Sequence, residues 1–174
     1  MNNKIVLLGY MGVGKTTTGK SLAKKMNLVH FDLDNLIEKQ EKETINQLFY
    51  KKGELYFRKI EHQLFQELLK NKDNFVLSVG GGTPCYYNNH LLLEDENIIS
   101  VYLEASLQMI YDRLVEERQQ RPFVKDLNPI ELKEFIGKHL FERSFYYQKA
   151  NYKVKVDGKN VTEICNEILE FYSK

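Results

Sequence analysis

The amino-acid sequence predicts an α/β fold: a single domain in which a five-stranded, mostly parallel sheet is flanked by helices on both faces. Five short apolar runs alternate along the 174 residues with longer segments that carry helix-forming residues at helical spacing. Strands that alternate with helices are typical of βαβ units, whose crossovers are right-handed. No repeat, low-complexity tract or linker divides the sequence, so we expect one domain over residues 1–174.

The strands are predicted from runs rich in β-branched and aliphatic residues. The first run is uninterrupted and indicates a buried strand. In chain order the five runs are KIVLLG, LVHFD, NFVLSV, IISVYL and YKVKV. Ligands of such sheets bind beyond the carboxyl ends of the strands, which makes the residues after each run candidates for a functional site.

The first half of the chain predicts two helical regions. One runs from residue 14 to about residue 26, directly after the first strand. The other covers about 35–70 and contains breaks. Within it, Thr44 and Gln47 form a capping box at which a new helix starts, and Gly53 is expected to end that helix before another begins.

Three helices are predicted in the second half of the chain. The segment ASLQMIYDRLVEE follows the fourth strand. Asn128 and Pro129 supply the N-cap and the first-turn proline of the next helix, and Asn160 caps the last one, VTEICNEILEFY. The polar stretch at 117–128 interrupts this pattern and is the candidate for a mobile insert.

Composition and charge exclude several functional classes. Apolar residues make up 43% and charged residues 28%, and the formal net charge is +1, so no overall field attracts the chain to nucleic acid or to an anionic membrane. The two cysteines and four histidines show no metal-ligand spacing, and the histidines are expected to be structural or exposed. No apolar run approaches the roughly 20 residues of a membrane span. We expect a soluble, cytoplasmic protein with neither nucleic acid nor a membrane as its partner.

The stretch GYMGVGKTTTG fits the pattern G-x-x-x-x-G-K-[ST] between a predicted strand and a predicted helix. Its glycines let backbone N–H groups surround phosphate oxygens, and the start of the helix directs its positive end at the anion. Lys15 can reach the β- and γ-phosphates, and Thr16 can place its hydroxyl on Mg²⁺. This phosphate-binding loop (residues 9–16) predicts binding of a nucleoside triphosphate. The alternative is a glycine turn with a solvated lysine.

A loop of this kind occurs in GTPases, motor ATPases, small-molecule kinases and binding modules alike. The sequence has no N-K-x-D motif for guanine and no apolar strand that ends in Asp-Glu, and it is short for a helicase or a transporter ATPase. These observations favour a kinase that acts on a metabolite or a nucleotide.

Asp32 and Asp34 follow the second strand in the segment FDLDNLIE. Residues two apart on an extended backbone face the same way, so both carboxylates are expected in one cleft. One can support Mg²⁺ while the other accepts a proton or a hydrogen bond from a hydroxyl group. The alternative is that these acids only cap the helix that follows.

Two further segments offer groups that could bind an acceptor. In GELYFRKIEHQ, Arg58 and Glu61 lie on one helix face, so the acid can orient the guanidinium toward a carboxylate ligand; a surface ion pair is the alternative. In SVGGGTP, the glycines at 80–82 permit close approach of a ligand, or else form a plain flexible turn. Arginines at 118, 121 and 143 follow, and a mobile arginine can stabilise a transferring phosphate.

In this order the motifs closely resemble those of shikimate kinases. The matching pieces span residues 5 to about 147 and are GYMGVGKTTTGKSLA, FDLDNLIE, GELYFRKIE, SVGGGTP, RPF and ERSFYY. The resemblance implies the nucleoside-monophosphate-kinase-like P-loop fold, with a substrate-binding helical region at about 33–62 and a lid at about 114–128. It also implies that a monomer transfers the γ-phosphate of ATP, with Mg²⁺, to the 3-hydroxyl of shikimate on the route to chorismate and the aromatic amino acids.

The resemblance assigns roles at the nucleotide. Lys15 resembles the lysine that grips the phosphates, Thr16 the Mg²⁺ ligand, and Asp32 the acid that supports the metal through its water shell. Arg121 matches the lid arginine that meets the phosphates, and Arg113 is the candidate for stacking on adenine. The residues expected at the nucleotide are Gly12, Val13, Gly14, Lys15, Thr16, Thr17, Arg113 and Arg121.

The resemblance also assigns roles at the acceptor. Asp34 matches the acid that binds the shikimate hydroxyls and can act as a base. Arg58 and Arg143 match the arginines that hold the shikimate carboxylate, and the backbone of Gly80 is expected to face the ligand. The expected acceptor-binding residues are Asp34, Arg58, Gly80, Gly81, Gly82 and Arg143, and the expected catalytic residues are Lys15, Asp34 and Arg121.

Three alternatives stay open at this point. A gluconate kinase would also bind a carboxylate and hydroxyls, and a nucleoside monophosphate kinase would have a base pocket instead of the two arginines. A non-catalytic ATP-binding module would be expected to lack Lys15, Asp34 or those arginines, which are all present. The joint presence of FDLD, FRKIE and GGG favours a shikimate kinase, although the lid usually reads R-P-L-L and here has Phe123 and Val124 after the proline.

Overall fold

Five parallel strands form the sheet of the computed structural model, which describes residues 4–117 and 124–172. The strands are β1 (Lys4–Leu8), β2 (Val29–Asp32), β3 (Phe75–Ser78), β4 (Ile98–Glu104) and β5 (Tyr152–Lys155). Their order across the sheet is β2-β3-β1-β4-β5. From the central strand β1 the chain passes to β2 at one edge, returns to β3 between the two, and then crosses to β4 and β5 on the other side. The carboxyl ends of the strands beside this change of direction are where open α/β sheets bind ligands.

Six α-helices lie within the described ranges. They are α1 (Lys15–Met26), α2 (Leu33–Glu41), α3 (Ile45–Lys70), α4 (Leu107–Glu117), α5 (Pro129–Tyr147) and α6 (Val161–Tyr172). The predicted α/β domain with five parallel strands is confirmed. Over the same residues, no helix has both the length and the apolar character that crossing a bilayer requires.

Two hydrophobic cores lie on opposite faces of the sheet. On β1, Ile5 and Leu7 pack in the core that includes α1, α4, α5 and α6, whereas Val6 and Leu8 pack in the core that includes α2 and α3. All four side chains are fully buried. Because successive strand residues point to opposite faces and both faces are covered, the first apolar run is continuous rather than alternating.

The helix starts follow the predicted caps. The amide of Gln47 donates to Thr44 Oγ1 at 3.2 Å, and the amide of Thr44 donates to Gln47 Oε1 at 2.9 Å, which completes the capping box of α3. Reciprocal bonds of the same kind begin α5 and α6. Gly53 interrupts α3 with φ 81° and ψ 168°, so two helical segments meet there, as predicted.

Gly19 allows α1 to pack closely on β2 and β3, and we expect Gly19→Ala to destabilise the fold. A Cβ atom there would lie 2.5 Å from His30 Nε2 and 2.7 Å from Ser78 Oγ. Overpacking of this kind should lower the free energy of unfolding by about 1–3 kcal/mol, although alanine intrinsically favours a helix over glycine by ~1 kcal/mol. Urea unfolding measures the change, with Gly137→Ala on α5 as control, because its Cβ would meet Leu107 Cδ1 at 3.4 Å. Equal stability of the two variants would contradict the expected clash.

Candidate active site

The loop between β1 and α1 surrounds its own lysine. Gly12 and Gly14 adopt positive φ values of 81° and 95°, a conformation that favours glycine, and α1 begins at the next residue, Lys15. Lys15 Nζ donates to the backbone carbonyls of Gly9 (2.8 Å) and Tyr10 (2.9 Å). The lysine is therefore turned into the loop, and its charge lies beside the helix N-terminus, where anions are favoured.

Thr16 and Asp32 bring a hydroxyl and a carboxylate together at this loop. Thr16 Oγ1 donates to Asp32 Oδ2 at 2.6 Å. The other carboxylate oxygen accepts from the amide of Asn35 at 3.3 Å and caps α2, so the capping alternative also holds for Asp32. These oxygens are the ligand type that Mg²⁺ prefers. No group of three His, Cys, Asp or Glu in the described part of the chain could hold a metal, so a cation here would need water and phosphate as further ligands.

Asp34 lies in the first turn of α2 rather than at the end of the strand, because β2 ends at Asp32. The prediction that extended backbone aligns the two carboxylates is therefore wrong, although both side chains line one cleft. Burial, together with the neighbouring carboxylates of Glu61 and Asp32, raises the pKa of Asp34 to about 6. A carboxylate in this environment suits a hydrogen bond from a hydroxyl group.

Arg58 is held in a buried network on α3. Its Nη1 donates to Glu61 Oε2 at 2.8 Å, and the other oxygen of Glu61 accepts from Thr83 Oγ1 at 2.6 Å. Glu61 is fully buried and Arg58 is 8% exposed, so the predicted pairing is confirmed and the alternative of a surface ion pair is wrong, whereas binding of a carboxylate ligand stays a prediction. The centre of the Tyr86 ring lies 4.2 Å from the guanidinium carbon, a packing that also holds the cation in place.

The glycines at 80–82 form a packed loop and not a loose turn. A Cβ atom on Gly82 would lie 2.6 Å from Arg58 Nη2. One on Gly80 would lie 3.0 Å from Asp34 Oδ1. The absence of a Cβ at Gly82 therefore lets the arginine approach this backbone, and a Cβ at Gly80 would crowd the carboxylate.

Arg143 on α5 approaches the same glycine loop. A Cβ atom on Gly81 would lie 3.3 Å from Arg143 Nη1, and the Gly81 carbonyl accepts from Tyr147 Oη at 2.5 Å. The guanidinium carbon lies 5.5 Å from the centre of the Tyr10 ring. Helices α3 and α5 thus each contribute one arginine, Arg58 and Arg143, to one cleft.

Two clefts meet at the carboxyl end of the sheet. The first cleft, of about 760 Å³, contains the phosphate-binding loop with Asp32 and Arg113. The second cleft, of about 520 Å³, contains Arg58 and Arg143. Both are lined by Met11, Asp34, Gly80 and Gly81. A phosphate donor in the first cleft and an anionic acceptor in the second would therefore meet beside Asp34.

The predicted nucleotide residues that the structure describes all line the first cleft: Gly12, Val13, Gly14, Lys15, Thr16, Thr17 and Arg113. Arg113 Nη1 donates to the Gly12 carbonyl at 2.8 Å and so contacts the loop from α4. Its stacking on adenine stays a prediction. Arg121 and Phe123, which carry the predictions for the lid, lie outside the described residues.

His139 lines the second cleft, and no sequence motif pointed to it. Its Nδ1 lies 3.1 Å from Tyr10 Oη, a residue 129 positions away. The sequence offered a single signal, because His139 precedes Arg143 by four residues on the same predicted helix and therefore shares its face. The sequence alone does not show which face of this helix lines the cleft, so the spacing did not identify His139 as a site residue.

Comparison with known proteins decides the family. A family model described as shikimate kinase matches residues 11–173. This chain belongs to the shikimate kinase family. The shikimate kinase of Flavobacterium johnsoniae is 50% identical over 167 residues, which make up 96% of this chain and 97% of that relative.

Solved structures of shikimate kinases share the fold over almost the whole chain. The crystal structure of shikimate kinase from Bacteroides thetaiotaomicron matches with a TM-score of 0.91 at 32% identity and covers 99% of both chains. Shikimate kinase from Acinetobacter baumannii, solved in complex with shikimate, matches with a TM-score of 0.88 at 30% identity and covers 98% of this chain and 93% of that one. Sequence and fold together favour this family over gluconate and nucleoside monophosphate kinases.

Proposed function

We propose that this chain transfers the γ-phosphate of ATP to the 3-hydroxyl group of shikimate, releasing ADP and shikimate 3-phosphate for the synthesis of chorismate and aromatic amino acids. One observation carries the proposal: the two clefts meet at Asp34, with the phosphate-binding loop on one side and Arg58 and Arg143 on the other. Membership of the shikimate kinase family, and a relative that binds shikimate, support the same acceptor.

At the donor, the backbone amides of the loop and the ammonium of Lys15 hold the phosphates of ATP. Thr16, through its hydroxyl, and Asp32, through water, would hold Mg²⁺, and the bound ion would supply neutralisation of the charge that develops on the phosphate oxygens. From the family resemblance, Arg121 adds a further positive charge at the transferring group. Arg113, which lines the first cleft, is our candidate for stacking on adenine.

At the acceptor, Arg58 and Arg143 bind the carboxylate of shikimate and so determine which hydroxyl faces the γ-phosphate. The buried Glu61 orients Arg58, so this guanidinium is preorganised. It therefore loses little conformational entropy when the ligand binds. Asp34 accepts the hydrogen bond, and then the proton, of the reacting hydroxyl. Most of the rate gain comes from this positioning and from charge neutralisation.

We also propose which segments hold the acceptor and form the lid, the oligomeric state and the cellular location. The region at about 33–62, which comprises α2 and the first part of α3, holds the acceptor. The lid at about 114–128 begins within the last turn of α4, which extends to Glu117. The protein acts as a monomer, as the family resemblance implies, and in the cytoplasm, as its composition predicts.

Arg143→Ala separates acceptor use from nucleotide binding. The substitution is expected to raise the KM for shikimate by about 10²-fold, because a charge-assisted hydrogen bond to the carboxylate is lost, and to change the Kd for ATP less than about twofold. Arg58→Ala is expected to have the same kinetic effect and also to destabilise the fold, because Glu61 would be left buried without its cation. Steady-state kinetics and ATP titration of both variants measure these effects.

The matched control is Lys138→Ala, which removes an exposed cation from α5 outside both clefts. It is expected to leave the KM for shikimate unchanged. An Arg143→Ala protein that folds but no longer binds ATP, or one that keeps the parent's KM for shikimate, would contradict the assigned role.

A further inference from the structure

The side chain of Tyr10 connects the phosphate-binding loop to α5. Tyr10 is the second residue of that loop, yet the residue is only 1% exposed. Its hydroxyl oxygen lies 3.1 Å from Nδ1 of His139, within hydrogen-bond distance. The centre of the same ring lies 5.5 Å from the guanidinium carbon of Arg143. One side chain from the nucleotide side of the site therefore contacts two side chains of the helix that faces the acceptor.

His139 and Arg143 are four residues apart on α5 and so lie on one face of the helix. Both line the second cleft. The ring of Phe135, which lines the same cleft, has its centre 4.2 Å from that of His139. His139 thus contacts both Phe135 and Tyr10, and its Nδ1 lies within hydrogen-bond distance of the tyrosine hydroxyl.

We propose that Tyr10 and His139 act as a positioning pair that sets the orientation of Arg143 for the carboxylate of the acceptor. The inference rests on the proposed function, in which Arg143 binds that carboxylate. The hydrogen bond to His139 fixes the ring of Tyr10, and the fixed ring offers its face to the guanidinium. The backbone at Gly81 lies close to the guanidinium of Arg143, since a Cβ added there would be 3.3 Å from Nη1, and it restricts the position of that group.

Binding of a carboxylate requires that the guanidinium be accurately oriented. A guanidinium presents its N–H groups in a rigid planar fork, so a small rotation removes one of two hydrogen bonds to a carboxylate. Displacements of about 1 Å at positioning groups can cost up to ~10²-fold in activity. The ring of Tyr10 is held at its hydroxyl by His139 of α5. It can therefore fix the guanidinium of Arg143, on the same helix, relative to the phosphate-binding loop.

Three single variants test the pair. Tyr10→Phe removes only the hydroxyl, and His139→Leu removes the ring nitrogens. Both are expected to raise the KM for shikimate about three- to tenfold, the effect of losing one neutral hydrogen bond, with kcat and the KM for ATP within about twofold of the parent. His139→Asn is expected to restore the KM to within about twofold, because its amide can take the place of Nδ1.

The double variant Tyr10→Phe/His139→Leu distinguishes a pair from two separate effects. If the two residues act through one hydrogen bond, the double variant should have the same KM for shikimate as either single variant, since residues that act as a unit are not additive. Multiplied effects in the double variant, or a kcat loss without a change in KM, would overturn the proposal. If His139→Leu does not fold, Tyr10→Phe decides alone, because it deletes a single oxygen atom.

Arg143→Ala in the same assay separates the failure of this inference from the failure of the proposed function. A large KM increase in Arg143→Ala, with parent-like values in Tyr10→Phe and His139→Leu, would overturn the positioning pair and leave the acceptor assignment standing. Parent-like kinetics in Arg143→Ala itself would overturn the acceptor assignment as well.

Discussion

Asp34→Asn is expected to lower kcat by about 10²–10⁴-fold, because it removes the carboxylate that accepts the proton of the reacting hydroxyl. The amide has nearly the same shape, so it should fit beside Gly80, where the present carboxylate lies 3.0 Å from the position of an added Cβ. It can still hydrogen-bond a hydroxyl group, so shikimate and ATP should bind with Kd values within about tenfold of the parent. Rapid-quench turnover and calorimetric titration measure the two effects separately.

Asp112→Asn is the matched control for this substitution. Asp112 is exposed on α4, accepts a hydrogen bond from Gln108 and does not line either cleft. Its kcat should equal that of the parent. If Asp34→Asn retained more than about a tenth of the parent kcat, Asp34 would not be the general base, since such a group contributes at least about 10²-fold.

Lys15→Met is expected to lower kcat/KM for ATP by about 10²–10³-fold or more, because one preorganised cationic donor at the transferring phosphate is lost. In the structure the ammonium donates to the Gly9 and Tyr10 carbonyls and so lies inside the phosphate-binding loop. Methionine retains an unbranched chain of similar length but carries no charge. Turnover at varied ATP concentration, with shikimate saturating, measures the loss.

Lys20→Met provides the comparison on the same helix. Lys20 is exposed on α1 and lines neither cleft, so its removal changes the overall charge equally but leaves the loop intact. Equal kinetics of the Lys15 and Lys20 variants would mean that the loop lysine has no part in phosphate transfer.

The sequence was sufficient for features that depend on local rules. The continuous apolar run of β1 follows from burial on both faces of the sheet, and the capping box of Thr44 and Gln47 is set by residues three apart. The phosphate-binding loop is likewise contiguous, so its pattern could be interpreted without knowledge of the fold.

The sequence was not sufficient where residues meet across the fold. Asp34 faces the expected cleft, but from the first turn of a helix that starts sooner than predicted. The burial of the Arg58–Glu61 pair depends on contacts from Thr83 and Tyr86 on a different segment. Spacing along α3 could give the pairing of the two charges but not their burial, which depends on tertiary packing.

The contact of Tyr10 with His139 could not be predicted from the sequence for a related reason. The two residues are 129 positions apart, and each occupies a position that no motif specifies. A histidine without metal-ligand spacing carries no chemical signal of its own. Only the packing of α5 against the phosphate-binding loop brings it to the acceptor side of the site.

The most direct test of the central claim is ADP release by the purified protein with ATP and Mg²⁺, measured with shikimate, gluconate, AMP or no acceptor. We expect rapid release with shikimate alone, together with formation of shikimate 3-phosphate. Release of ADP with gluconate or AMP but not with shikimate would contradict it, and so would tight ATP binding without turnover on any of the three acceptors.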